Sequence, residues 1–179
     1  MGNYLYSPSP AVHLFITGLD AAGKTTIIYK FCQMKNIQFE VKNQYNSFMC
    51  FEHINFKNYE TITLDLGGNM RPEPFITKNV VGCNVLMYVI DISDVYRRQE
   101  AKDEMFRFLQ VSETRGIPLI IIFSKVDLPY NMTETEFIKF FELDKIKERK
   151  WTFIMMSAYT EMGLLEGFKW VESKAKLIF

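Results

Sequence analysis

The chain has 179 residues, 48% of them hydrophobic, and its 21 basic and 21 acidic residues give a formal net charge of zero. This length and composition predict one domain with a substantial core, and the balanced charge argues against nucleic acid as a partner. The three cysteines have the spacing of neither a disulfide framework nor a zinc site. No apolar run reaches the roughly 18 residues of a membrane span. We therefore expect a cytoplasmic protein, or one peripheral to a membrane.

The first ten residues predict a flexible arm ahead of a single domain at 11–179. Pro8 and Pro10 prevent a regular helix from joining the arm to the domain. Gly2 is a candidate for N-myristoylation, although that signal prefers Ser or Thr at the position where this chain has Tyr6. Because one acyl chain gives only marginal, reversible membrane binding, the arm predicts at most a reversible membrane contact.

A phosphate-binding loop is the clearest feature of the sequence. An apolar run at 12–17 predicts a buried strand, and apolar residues at helical spacing predict a helix at 24–34. Between them, G-L-D-A-A-G-K-T at 18–25 matches the pattern G-x-x-x-x-G-K-[ST] in the strand-then-helix context that it requires. The four fixed letters occur by chance in about one chain in a hundred or fewer at this length. The sequence therefore predicts a nucleotide site.

Each fixed residue of this loop has a physical role. Gly18 and Gly23 let the backbone turn tightly, so that successive N–H groups face phosphate oxygens at the positive end of the helix dipole. Lys24 supplies a positive charge to the β- and γ-phosphates. The hydroxyl of Thr25 is a ligand for Mg²⁺.

The middle of the chain predicts a β-hairpin between two irregular segments. Residues 36–47 are polar and aperiodic, which predicts a loop. Strand-like runs at 48–56 and 60–65 flank a turn at 57–58. Residues 69–79 contain two prolines, and we expect this segment to be irregular or mobile.

The second strand of the hairpin ends in D-L-G-G at 65–68, which suits a sensor of the γ-phosphate. Asp65 is able to hold Mg²⁺ through a water, and the backbone N–H of Gly68 is able to approach the terminal phosphate. Four letters alone are weak evidence, but at this distance after a phosphate loop they support the same nucleotide site.

The second half of the chain alternates strands with helices. The predicted strands are three apolar runs, at 85–90, 119–123 and 152–156. The predicted helices are 95–115, a helix that follows a capping box at 133–136 and runs to 141, and 164–178. This order predicts an α/β fold with a doubly wound, mostly parallel sheet of six strands and one antiparallel edge strand from the hairpin. Ligands bind such sheets at the carboxyl ends of the strands, where these motifs lie.

Five stretches together resemble the Arf and Arf-like branch of the Ras-type small GTPases. They are G-L-D-A-A-G-K-T-T at 18–26, D-L-G-G at 65–68, S-K-V-D-L-P at 124–129, S-A at 157–158 and L-E-G-F-K-W at 165–170. The likeness covers about residues 11–175 and implies the P-loop small-GTPase fold, with helices on both faces of the sheet. It also implies GTP and GDP as ligands, Mg²⁺ as cofactor, and a molecular switch with slow GTP hydrolysis in intracellular trafficking.

The resemblance also implies the roles of individual residues. Asp127 would take the N1 and N2 hydrogens of guanine, Lys125 would lie along the base, and the backbone N–H of Ala158 would meet O6. The other implied nucleotide-binding residues are Asp20, Ala21, Ala22, Gly23, Lys24, Thr25, Thr26, Gly68, Ser124 and Ser157. The implied catalytic residues are Lys24, Gly68 and Asn69, and the implied metal ligands are Thr25, Asn46 and Asp65.

The chain departs from the family pattern at three of these positions. Asn46 aligns with the Thr that binds Mg²⁺ in the GTP state, and Ser47 reaches that position only with a one-residue shift. Asn69 replaces the Gln that positions the attacking water and is one methylene shorter, which predicts intrinsic hydrolysis at or below the usual slow rate. Ser124 replaces the Asn of N-K-x-D, which predicts modestly weaker selectivity for guanine.

Three functions compete at this stage. The first is a switch that recruits effectors, exchange factors and GAP proteins through residues 43–80. The second is a hydrolysis-deficient scaffold, or pseudo-GTPase, that acts as an interaction module, which the replacements at Asn46 and Asn69 favour. The third is a P-loop kinase for a small metabolite, which would leave the K-V-D at 125–127 unexplained.

Overall fold

The structure is a computed structural model that describes residues 12–46, 49–67 and 72–175, without the side chains of 43–46 and 49–50. The described residues form seven strands and five α-helices, with short 3₁₀ helices at Ser112–Thr114 and Leu143–Lys145. The strands are β1 (Val12–Leu19), β2 (Phe39–Asn46), β3 (Met49–Phe56), β4 (Tyr59–Leu66), β5 (Val85–Asp91), β6 (Leu119–Ser124) and β7 (Trp151–Met156). The helices are α1 (Lys24–Met34), α2 (Glu73–Val80), α3 (Arg98–Gln110), α4 (Glu134–Phe140) and α5 (Leu164–Ala175).

All the strands belong to one sheet, in the order β2-β3-β4-β1-β5-β6-β7. β1 lies between β4 and β5 and is parallel to both, and β5, β6 and β7 continue the parallel arrangement. β3 is antiparallel to both of its neighbours. The carboxyl ends of the parallel strands therefore meet along one side of the sheet, and their amino ends along the other.

Helices cover both faces of the sheet, which confirms the predicted α/β class. Alternate residues of β1 point to opposite faces. Ile16 packs in a core with residues of α1 and α5, whereas Phe15 packs in a second core with residues of α2, α3 and α4. The ring stack of Phe31 on Phe168, with centroids 3.7 Å apart, joins α1 to α5 within the first core.

The predicted strand count and the position of the antiparallel strand were wrong. The described sheet has a seventh strand, β2, within the segment 36–47 that was predicted to be a loop, and the antiparallel β3 lies one place in from the edge. β2 is held by its pairing with β3, which runs from Phe39 opposite Phe56 to Asn46 opposite Met49. Its apolar side chains stay partly exposed, 39% for Phe39 and 36% for Val41, so burial leaves little pattern in the sequence.

The helix predictions were wrong in one place and too long in another. α2 occupies much of the segment that two prolines predicted to be irregular, because Pro72 caps this helix and Pro74 lies in its first turn. A first-turn proline lacks only an N–H that would have no partner in the helix anyway. α3 is shorter than the predicted 95–115, whereas the predicted capping box of Thr133 with Glu136 is confirmed at α4.

Candidate nucleotide site

The phosphate loop joins β1 to α1 and has the backbone geometry that its glycines permit. Gly18 has φ +142°, and a Cβ there would lie 2.1 Å from the carbonyl oxygen of Val89 on β5. Gly23 has φ +95° and caps α1. Only glycine fits such a close approach of two backbones, so the spacing of the motif follows from packing as well as from phosphate chemistry.

The side chain of Lys24 turns back over the loop and is 4% exposed. Its ammonium group donates to the carbonyl oxygens of Gly18 at 3.1 Å and Leu19 at 2.6 Å, and it pairs with Oδ1 of Asp65 at 2.5 Å. Burial lowers the pKa of Lys24 below its ordinary value, and the neighbouring Asp65 carboxylate opposes that shift. The ammonium of Lys24 is thus held in place by three oxygens.

The hydroxyl of Thr25 donates to Oε2 of Glu52 at 2.6 Å. Glu52 lies on β3 opposite Thr63 of β4, and Asp65 is two residues further along β4 on the same face. These two carboxylates of the hairpin therefore point to the start of α1, Glu52 toward Thr25 and Asp65 toward Lys24. The hairpin and the phosphate loop form one network of hydrogen bonds.

Arg97 links the loop to the first residues of α3. Its Nη2 pairs with Oδ1 of Asp20 at 2.8 Å, and its Nε with Oε2 of Glu100 at 2.7 Å. The hydrogen bond from Arg97 lowers the pKa of Asp20. A Cβ on Gly67, which has φ +125°, would come within 3.3 Å of Nη2 of Arg97. The guanidinium therefore sits where the loop, α3 and the end of the hairpin meet.

The predicted base-binding residues lie at the ends of β6 and β7. Ser124 donates its hydroxyl toward the carbonyl oxygens of Ala22 at 2.7 Å and Ile90 at 3.1 Å. The single hydroxyl hydrogen is shared between these two acceptors, so the serine still ties β6 to the phosphate loop. No second donor remains on its side chain.

Lys125 and Asp127 follow Ser124 in the chain. Lys125 has φ +61°, and its ammonium pairs with Oδ2 of Asp91 at 2.6 Å. Burial alone would raise the pKa of Asp91, but hydrogen bonds from Lys125 and Ser93 hold it below its ordinary value. Oδ1 of Asp127 accepts a hydrogen bond from the Ser157 hydroxyl at 2.5 Å. The exposed carboxylate is therefore held by the residue that directly follows β7.

The structure places the described candidates together along the carboxyl side of the sheet: 20–26 after β1, Asp65 in β4, 124–127 at the end of β6 and 157–158 after β7. Gly2, Ser47, Gly68 and Asn69 lie outside the described residues, and only the backbone of Asn46 is described, at the end of β2. The assigned roles remain predictions.

Sequence reasoning missed two residues of this network, Glu52 and Arg97. The predicted turn at 57–58 already fixed Glu52 opposite Thr63, so the strand register was a usable indication that Glu52 shares a face with Asp65. Arg97 carried no such indication, because its contact with Asp20 depends on how α3 packs beside the loop.

The site fits Mg²⁺ only together with phosphate. Within the described ranges, no three His, Cys, Asp or Glu side chains gather in a group that could hold a metal ion. Mg²⁺ in proteins is commonly held by one or two side-chain oxygens together with substrate phosphates and waters. The oxygens of Thr25, Asp65 and Glu52 are the described side-chain atoms available for that chemistry.

Fold and loop define the class as a P-loop nucleotide-binding protein. The model of the ADP-ribosylation factor family, Arf, matches residues 3–175. ADP-ribosylation factor J of Dictyostelium discoideum is 30% identical over 173 residues, which cover 93% of this chain and 87% of that protein. ADP-ribosylation factor 3 of Arabidopsis thaliana is 31% identical over 164 residues, 91% of this chain and 87% of the relative. The chain belongs to the ADP-ribosylation factor family.

Membership confirms the resemblance found in the sequence. The protein is a GTP-binding switch protein of a family of small GTPases that acts in intracellular trafficking. Proteins of the family bind GTP and GDP and interact with effectors, exchange factors and GAP proteins. No helix in the described part of the chain is long and apolar enough to cross a membrane.

Proposed function

We propose that this protein is a magnesium-dependent guanine-nucleotide switch whose own GTP hydrolysis is slow. The observation that carries the proposal is the pair of carboxylate contacts at the start of α1, Asp65 on Lys24 and Glu52 on Thr25. The two residues with which the loop would bind phosphate and metal are thereby bonded to the two strands of one hairpin.

These contacts support a coupling between ligand and hairpin. A phosphate oxygen that bonds to Lys24 competes with Asp65, because the ammonium already has three oxygen partners. Mg²⁺, when bound, would neutralise phosphate charge and take the oxygen of Thr25 as a ligand. The hydroxyl of Thr25 donates to Glu52, so binding of Mg²⁺ at Thr25 would affect the position of β3. In the same way, binding of phosphate at Lys24 would affect the position of β4 through Asp65. Nucleotide state would therefore change the hairpin, whose surface an effector reads.

Slow hydrolysis follows from the groups that the chain offers to the terminal phosphate. Asn69 has a shorter side chain than the glutamine that positions water in related proteins. The guanidinium of Arg97 is committed to Asp20 and Glu100 and does not supply a free charge. We expect Asn69→Gln to raise single-turnover GTP hydrolysis about tenfold, against an unchanged rate in Asn55→Gln, a substitution of an exposed asparagine at the turn end of β3. An unchanged rate in both would remove side-chain length as the limit.

Membrane contact, guanine selectivity and partner binding complete the proposal. Gly2 is the proposed site of an acyl chain that gives reversible membrane contact. The proposed guanine-binding residues are Asp127, Lys125 and Ala158. Because Ser124 replaces the asparagine of the family pattern, the preference for GTP over ATP should be weaker than in the family. Residues 43–80 are the proposed surface for effectors, exchange factors and GAP proteins.

The first test is to extract the nucleotide that copurifies with the protein and to titrate fluorescent GDP and GTP with and without Mg²⁺. We expect bound guanine nucleotide and GTP affinity that falls when Mg²⁺ is removed. Thr25→Ala should abolish that dependence, whereas Thr135→Ala, at an exposed threonine of α4, should preserve it. Binding indifferent to Mg²⁺ in the unsubstituted protein would contradict the proposal.

The scaffold remains the second candidate, and the replacements at Asn46 and Asn69 favour it. Hydrogen exchange of residues 43–80 with GDP and with a non-hydrolysable GTP analogue separates the candidates. The switch predicts different exchange with the two nucleotides, and the scaffold predicts the same exchange.

A further inference from the structure

A second cavity lies at the opposite side of the sheet from the phosphate loop. It has a volume of about 580 Å³, against about 30 Å³ for the cavity beside the loop. Its walls are the residues just before three neighbouring parallel strands, together with one residue of α5. They are Cys83 and Asn84 before β5, 115–118 before β6, 148–150 before β7, and Lys174. This size lies within the range of about 300–1,000 Å³ that small-molecule sites occupy.

The walls of this amino-end cavity carry an excess of positive charge. Four cationic side chains line it, those of Arg115, Arg149, Lys150 and Lys174, against the one carboxylate of Glu148. None of the four forms a salt bridge with any described residue, while nine salt bridges occur elsewhere in the described structure. Lys174 instead lies over the ring of Trp170, with Nζ 5.3 Å from the centroid. Such an excess on concave walls attracts an anion with several charges.

One nitrogen of these four cationic side chains is already removed from water. Nη1 of Arg149 is buried and has no hydrogen-bond partner among the described residues. A buried donor without a partner costs free energy, so native proteins almost always supply one from the chain, a water or a ligand. Burial also lowers the pKa of Arg149, the shift expected where no carboxylate compensates for lost hydration. One nitrogen of the guanidinium has thus lost its water before any ligand arrives.

We propose that this amino-end cavity binds an anion that carries two or more phosphate monoester groups. A guanidinium presents its N–H groups in a planar fork that matches two oxygens of a phosphate, and flanking lysines add point charges. Ile117 and Pro118, together with the stems of the long side chains, give the cavity apolar walls as well. The same chemistry is offered by a free polyphosphorylated metabolite and by a polyphosphorylated lipid headgroup. This inference does not depend on the switch proposed above.

The two tryptophans of the chain provide a direct readout. Trp151 follows Lys150, and Trp170 lies beneath Lys174, so an anion in the cavity changes the surroundings of both rings. Inositol trisphosphate is titrated into the full chain while tryptophan fluorescence is recorded, with GDP in excess to keep the probe from the phosphate loop. We expect a saturable change in fluorescence.

Three variants locate the binding. Arg149→Gln should weaken it about tenfold or more, because one charge-assisted hydrogen-bonded contact is lost. Lys150→Gln removes an exposed charge at the rim, so it cannot act through the core, and should weaken binding several-fold. Lys139→Gln removes one exposed charge from α4, outside the cavity, and should leave the affinity unchanged. Fluorescent GDP affinity, measured in parallel, should be the same in all three.

The outcomes separate the source of the phosphate from the existence of the site. The protein is sedimented with phosphatidylcholine vesicles that contain a phosphoinositide and with phosphatidylserine vesicles of equal charge. Stronger sedimentation with the phosphoinositide vesicles, lost in Arg149→Gln, would identify a lipid headgroup. Binding of the soluble probe alone would identify a free metabolite, and both results support the site. No saturable change, or equal weakening by Arg149→Gln, Lys150→Gln and Lys139→Gln, would overturn it, since net charge rather than a cavity would then explain the attraction.

Discussion

The positive charges at the two ends of the parallel sheet differ in whether they are paired with carboxylates. At the carboxyl ends, three cations of the nucleotide site are paired with carboxylates: Lys24 with Asp65, Arg97 with Asp20, and Lys125 with Asp91. At the amino ends, the four cations of the second cavity have no such partner among the described residues. A ligand at the first end exchanges one oxygen for another, whereas a ligand at the second end supplies a partner. Removing a charge should therefore lower the free energy of unfolding at the first end and, without a ligand, raise it at the second.

The largest expected effect tests the backbone that brings the paired end together. Gly18→Ala would place a Cβ 2.1 Å from the carbonyl oxygen of Val89. We expect unfolding free energy, measured by urea denaturation, to fall by about 4 kcal/mol from strain and overpacking. The control is Gly82→Ala, at φ +87° with nothing within 4 Å of the added Cβ, which should cost only about 1 kcal/mol. Equal losses would mean that backbone conformation alone matters at Gly18.

The next effect concerns affinity. Lys24→Ala removes the buried ammonium that bonds to Asp65, and we expect fluorescent GTP to bind about a hundredfold more weakly, as for the loss of charge-assisted contacts to phosphate. Lys30→Ala is the matched control, because this lysine of the same helix pairs with Glu161 at the surface. A comparable loss in both variants would show that net charge near α1, rather than the position of Lys24, sets the affinity.

The same contrast explains how far the sequence could predict the molecule. Buried parallel strands such as β5 and β6 appear as continuous apolar runs, so their positions and the α/β class could be predicted. The phosphate loop could be predicted because its glycines and its lysine are fixed by local geometry. β2 could not, since a strand held by backbone pairing at an exposed edge leaves little apolar pattern.

The charged contacts divide in the same way. Asp65 was found because it belongs to a local motif at a strand end. Arg97 was missed because its partners, Asp20 and Glu100, include a loop 77 positions away whose approach only the packed fold determines. The cationic cavity was missed for the same reason. Its four cations come from three separate segments, and no short window of sequence brings them together.

A smaller effect, dependent on pH, tests the paired end through Asp91. Its folded-state pKa lies below its ordinary value of 3.8, so the pair with Lys125 stabilises the protein above that pH. Asp91→Asn should cost about 1 kcal/mol at pH 7, and this difference should shrink as pH falls through 3.8 and vanish below the lowered pKa. Asp144→Asn, at an exposed carboxylate, should change little at either pH in the same urea series. A cost for Asp91→Asn that stays constant down to acid pH would point to packing rather than charge.

The smallest effect has the opposite sign and lies at the other end. Arg149→Met keeps much of the side-chain volume and removes a buried guanidinium nitrogen that has no described partner. Without a phosphorylated ligand we expect unfolding free energy to rise by about 0.5–1 kcal/mol, because a desolvated charge is replaced by an apolar group. Excess inositol trisphosphate should reverse the order, since it stabilises only the form that binds it. Lys139→Met, at an exposed lysine, should show neither change. Destabilisation by Arg149→Met without ligand would mean that the guanidinium is already satisfied, and the two ends of the sheet would then hold their charges alike.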